Sequence, residues 1–144
     1  MLSPVVHTGR VDVFRSRQFD AWVRRLLEKA RGGDAVALAT AKHLADQIAY
    51  LRALATPPER EEETARLKWV RQSRRHLLWR LSHAHDERVA VRLIVWFDEE
   101  EDVAVIALFA ADKARMGDIF YDSVGTRGDQ IVDLWKSDKM GGRR

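Results

Sequence analysis

Lys113, Arg115 and Tyr121 fall within nine residues of one another in "LFAADKARMGDIFYDSV" (108–124), directly after an apolar run that ends at Ala110 and Ala111. Two cations and a phenol at the exit of a strand can hold and polarise a phosphate; the plainer reading is a solvated exit from a sheet. Arg92 raises the same choice inside "VAVRLIVWF", where it breaks an otherwise apolar strand pattern. A guanidinium there either pairs with a local acid at the sheet margin or grips a phosphate through two parallel hydrogen bonds. Arg80, alternating with Leu77, Trp79 and Leu81, poses it a third time.

The familiar catalytic sets are missing from the chain. It has no cysteine, which removes disulfides, thiolate metal sites and a thiol nucleophile, and suits a reducing cytoplasm. No glycine-rich phosphate loop, nucleotide fingerprint or nucleophile elbow occurs. His83 and His85 form an H-x-H pair without a third ligand at a metal-site spacing, so no metal or other cofactor is expected. That pair reads as a transient loop contact, with acid–base cleavage of RNA as its second use. His7, His43 and His76 stand alone, His43 on a helix and expected to be solvated.

Net charge is +3 over 144 residues, but its distribution matters more than its sum. From Thr64 to Leu81, "TARLKWVRQSRRHLLWRL" carries Arg66, Lys68, Arg71, Arg74, Arg75 and Arg80 and no acid, whereas "DEEED" at 98–102 is wholly acidic. A long basic segment beside strand-like sequence points to a polyanion on that face. Lys68, Arg71, Arg74, Arg75 and Arg80 are therefore candidate RNA-backbone contacts, with Trp69 available for stacking or for the core. The acidic stretch reads as a solvated hairpin turn that resists edge-to-edge pairing.

The elements that must position these groups follow from periodicity. "HTGRVDVFR" alternates through Val11 and Val13 as a short strand. Ser16 can cap a helix whose apolar positions Phe19, Trp22, Val23, Leu26, Leu27 and Ala30 recur at three and four residues until Gly32-Gly33. Asp34 can cap a second helix that ends before Pro57-Pro58, giving an antiparallel hairpin. Leu77–His83, Val89–Phe97 and Val103–Ala111 read as strands, residues 64–76 as either helix or extended chain, and Ile131, Leu134 and Trp135 share one face of a short final helix. Trp22, Trp79, Trp96 and Trp135 read as core. The expected architecture is α+β: a helical hairpin on one face of a twisted antiparallel sheet of about four strands, one domain over residues 1–140, and a frayed tail at 141–144. No run approaches the ~18 apolar residues of a membrane span.

"LLWRLS", followed by "VAVRLIVWFDEEEDVAVIALFAADKARMGDIFYDSV", resembles the RelE/ParE superfamily of type II toxin–antitoxin toxins, in particular its HigB-like, phage Gp49-like branch. The likeness covers about residues 64–124: a strand ending in a basic position, a Y-R-hydrophobic strand, an acidic turn, an apolar strand and a K/R-x-R-x5-Y tail. Arg92 matches the arginine of the Y-R strand, Arg115 that of the tail, Tyr121 the aromatic after it, and Arg80 the basic position before; Lys113 lies in the tail without a firm counterpart. The resemblance implies a RelE-like fold and a ribosome-dependent mRNA endoribonuclease working by metal-free 2′-hydroxyl attack. It also implies a cognate helix-turn-helix antitoxin, with ribosome and mRNA as the other partners. Val91 stands in place of the usual tyrosine, and Leu78 where RelE-type enzymes often keep a lysine. Those departures leave two alternatives: a ParE-like DNA gyrase inhibitor, or a non-catalytic binding module on the same fold.

Overall fold

The computed structural model describes residues 11–71, 75–98, 103–112 and 118–140, with side chains for all of these except 103–122 and 138–140. The chain enters as a four-residue strand, β1 (Asp12–Arg15), and turns at once into α1 (Arg17–Arg31). Ser16 is the cap that makes this turn: its Oγ accepts the Phe19 N–H at 3.1 Å, satisfying a donor that the first turn would otherwise leave open. Gly32 closes the helix through its N–H to the Glu28 carbonyl, and Gly33, at φ +97°, adopts the left-handed conformation that an L side chain resists. Asp34 Oδ1 then accepts the Ala37 N–H at 3.0 Å and starts α2 (Ala35–Arg52). The expected helical hairpin is present, residue for residue at its caps.

Residues 64–76 resolve in favour of extended chain at their start. A 3-10 turn at Arg60–Glu62 leads into β2 (Leu67–Trp69), which pairs antiparallel with β3 (Leu78–Leu81). β3 pairs antiparallel with β4 (Val91–Asp98), and β4 with β5 (Val103–Asp112), across a register shift between Ile94 and Trp96. The sheet order is β1-β5-β4-β3-β2. It has five strands where about four were expected, and β1 joins it parallel to β5, so the sheet is mixed. The outer edge at β2 is closed by side chains: Thr64 Oγ1 accepts the Leu67 N–H at 3.0 Å and Glu63 Oε1 accepts that of Trp69 at 3.1 Å.

Alternation along β4 divides the core in two. Val91, Leu93, Val95 and Phe97, with Trp79 and Leu81 of β3, face the hairpin and pack under Phe19, Leu44 and Leu51. Ile94, with Leu78 and Val70, faces the other way and is covered by Val124, Ile131 and Val132 of α3 (Asp118–Met140). Helices therefore lie on both faces of the sheet. The one-face expectation fails because Leu78 and Ile94, both fully buried, would otherwise meet water. The final helix is also longer than a short terminal turn, at 23 residues, and Leu134 points outward at 55% exposure while Ile131 and Trp135 pack inward. Trp79 is fully buried; Trp22, Trp96 and Trp135 are partly buried at the margins of the two clusters. No helix among the described residues is long and apolar enough to cross a membrane.

Candidate nucleic-acid interface

Strand register, and not sequence proximity, decides which cations meet. Lys68 and Arg80 are Cα partners across β2 and β3, and Arg80 is in turn the partner of Ile94 on β4. Arg92, two residues before Ile94, is the diagonal neighbour of Arg80 on the same face. Directly opposed side chains on one face stand ~5 Å apart and diagonal ones ~7–8 Å. Lys68, Arg80 and Arg92 thus form a row across three strands on the α3 face, bordering the cluster of Leu78, Ile94 and Val132, with Ile94 level with Arg80. Lys68 is exposed and both arginines are half-buried. Like charges at these separations repel by roughly 0.5 kcal/mol per pair in a water-like medium and several times more where water is partly excluded. Both arginines also engage other groups of the protein, and Arg92 donates to the Val91 carbonyl at 3.3 Å.

The remaining basic positions do not join this row. Arg71 ion-pairs with Glu63 at 3.0 Å and lies 4.4 Å from the centre of the Trp69 ring, which packs against the hairpin-side cluster. Arg60 reaches the same ring, so Trp69 is engaged by cations and core at once. Arg75 pairs with Asp133 of α3, beside His76, at the Trp96 end of the sheet. Four strand residues separate that end from Arg92, ~13 Å at 3.3 Å per residue. Of the expected RNA contacts, Lys68 and Arg80 share a face with Arg92, while Arg71 and Arg75 lie apart from that row in exposed ion pairs with Glu63 and Asp133. Arg74, Lys113 and Arg115 lie outside the described residues, and Tyr121 sits in the first turns of α3 with its side chain outside them. The backbone of β5 does run to the right end of the sheet, since Ala111 is the Cα partner of Arg92 and Asp112 of Val91.

Beside Arg92 the structure assembles a group that spacing along the chain did not reveal. His43 of α2 donates from Nε2 to Asp86 Oδ2 at 2.8 Å, and its ring stacks on His83 with centroids 3.9 Å apart. Arg88 binds both carboxylate oxygens of Asp86 through its guanidinium at 3.2 Å, and its own N–H adds a bond at 2.9 Å. The hydrogen bond from Arg88, then that from His43, holds the Asp86 carboxyl far below the usual carboxylate range. Desolvation lowers the His83 pKa, against the Ala84 carbonyl that accepts from its ring, and the neighbouring His43 and the Arg92 guanidinium add to the lowering. The expectation of a solvated His43 is overturned: its ring is largely covered and engages His83 and Asp86, while His85 is exposed. The missed signal was a 43-residue contact between helix and turn. Among the described residues, no group of three His, Cys, Asp or Glu side chains is placed to hold a metal ion.

No protein-family model, curated protein or solved structure matches this chain. The residues themselves must therefore carry any functional reading.

Proposed function

We propose that this chain is an RNA-acting toxin of the RelE/ParE kind, in which Lys68, Arg80 and Arg92 grip the phosphates of messenger RNA on the ribosome. The observation that carries the reading is the three-strand cationic row: register brings Lys68, Arg80 and Arg92 to one face on three adjacent strands, where they concentrate positive charge that suits a phosphate backbone. Cleavage in such a site needs no metal. The 2′-oxygen attacks the adjacent phosphorus as its proton leaves to a base, the P–O5′ bond breaks, and O5′ takes up a proton, giving a 2′,3′-cyclic phosphate and a 5′-hydroxyl. Arg92, with Arg115 on the strength of the resemblance, neutralises charge on the non-bridging oxygens. Lys113 serves as field or proton acceptor and Tyr121 stacks on a base or moves a proton, again by resemblance. A helix-turn-helix antitoxin held against the toxin, and a cytoplasmic site of action, belong to the same proposal.

One observation favours a second reading. Val91 and Leu78, the positions where RNA-cleaving relatives keep tyrosine and lysine, are buried core residues here. A ParE-like gyrase inhibitor, or a binding module without catalysis, would use the same cationic row without needing those groups. Induced expression with mapping of mRNA 5′ ends separates the readings: cuts inside translated codons, lost in Arg92→Ala, support the nuclease. DNA-damage signalling without such cuts supports gyrase inhibition, and neither, without growth arrest, supports the binding module.

A further inference from the structure

The strand that carries Arg92 begins at a histidine whose two nitrogens are both committed. The Val91 N–H donates to His83 Nε2 at 3.2 Å, and His83 Nδ1 lies 2.7 Å from the Ala84 carbonyl. A backbone N–H can only donate, so Nε2 must carry the lone pair; the proton is on Nδ1 and goes to Ala84. This assignment leaves no place for a second proton. A protonated ring would set Nε2–H against the Val91 N–H, donor against donor.

We propose that His83 is a positioning residue for Arg92: its neutral ring latches the start of β4, and protonation releases that latch and loosens the cationic row. The proposal rests on the nucleic-acid reading for its functional consequence, though not for the latch itself. The groups around the ring set its direction. His43 stacks on it from α2 and Arg92 acts on it from β4, both disfavouring a proton on His83. On the connection, Asp86 favours the protonated form, but its carboxylate is already engaged by Arg88 and His43. Arg66 donates to the carbonyl of the preceding residue, Ser82, at 3.3 Å and adds no acceptor. Desolvation is the largest influence and lowers the His83 pKa; the hydrogen bond to the Ala84 carbonyl and the Asp86 charge oppose it, and the net direction is down. With its folded-state pKa lowered, His83 contributes stability above the ordinary histidine value of ~6.5, and the contribution is lost as pH falls through that value towards the lowered one.

The sign of the effect on RNA is diagnostic. Adding a cation beside the row would by itself tighten binding to a phosphate backbone; releasing Arg92 weakens it. The test uses the full chain with 15N-labelled histidine and a single-stranded oligoribonucleotide at fixed ionic strength. At pH 7.5 the His83 nitrogens should report the Nδ1–H form, and titration should occur below the ordinary value. The Val91 amide, corrected for the intrinsic pH dependence of exchange, should lose about tenfold protection as pH falls through the observed His83 titration, the equivalent of one hydrogen bond. Oligonucleotide affinity should fall over the same interval in the wild type and stay flat in His83→Gln, whose side-chain oxygen can accept from Val91 without titrating. An Nε2–H tautomer, an unchanged Val91 amide, or binding that tightens in acid overturns the latch. Should His83→Gln not fold, the wild-type titration decides alone. Failure to bind RNA at any pH of the titration overturns the functional reading, and the imidazole and amide signals then judge the latch separately.

Discussion

Asp129 offers the sharpest test of how α3 meets the sheet. Its side chain, on the inner face of the helix at 5% exposure, accepts the Arg75 N–H through Oδ2 at 3.2 Å and the His76 N–H through Oδ1 at 3.1 Å. These two donors belong to the chain that runs into β3, so one carboxylate ties the C-terminal helix to the second face of the sheet. A hydrogen bond to a charged acceptor contributes ~1.5–3 kcal/mol, and the lower figure applies to each because Arg75 is exposed and water can partly replace the loss. Asp129→Ala should therefore cost about 3 kcal/mol. For a domain of this length that corresponds to a fall in Tm of roughly 10 °C. Asp129→Asn keeps one acceptor but turns an NH2 towards the second N–H, so it should lose at least half as much. Thermal unfolding gives the magnitude, and hydrogen exchange at the Arg75 and His76 amides gives the place. A Tm within about 2 °C of wild type, with those amides equally protected in Asp129→Ala, would refute the packing of α3 described above.

Trp79 lies in the hairpin-side cluster at 1% exposure, edge-on to Phe97 at 6.3 Å, and Trp79→Ala should destabilise by ~3–5 kcal/mol in denaturant titration at an unchanged midpoint slope. Asp86 ionises far below the usual carboxylate range, so its contribution is present above pH ~4 and lost as pH falls below it; stability measured from pH 4.5 to 2.5 should decline less steeply in Asp86→Asn than in the wild type. Arg75→Ala breaks only a surface ion pair with Asp133 and should change stability by less than ~1 kcal/mol.

The helical hairpin was legible because its signals are local: Ser16 and Asp34 sit where caps must, and Gly32-Gly33 supplies the turn between them. The antiparallel strands β3, β4 and β5 were legible from alternation, β4 most clearly. What alternation also contained, and the one-face expectation passed over, was a second apolar face: Ile94 and Trp96 on β4 with Leu78 on β3 demand a cover of their own. The parallel docking of β1 had no local signal, since four residues carry no information about their partner. The candidate site divided along the same line. Arg80 and Arg92 were readable as strand positions out of keeping with their neighbours. Their alignment with Lys68, and the exclusion of Arg71 and Arg75, depend on register and on acids as distant as Asp133. The His43–His83–Asp86 cluster joins α2 to a turn 43 residues away and has no counterpart in any spacing along the chain.

The central claim is that the row formed by Lys68, Arg80 and Arg92 holds a nucleic-acid backbone, and the salt dependence of binding to single-stranded RNA measures it. The row's three phosphate contacts predict a slope of log affinity against log salt of about −2 or steeper, from ~0.7 per contact, shallower by about 0.7 in Arg92→Gln or Arg80→Gln and unchanged in Arg75→Gln. Equal slopes in all three variants, or no measurable binding by the wild type, would contradict the account.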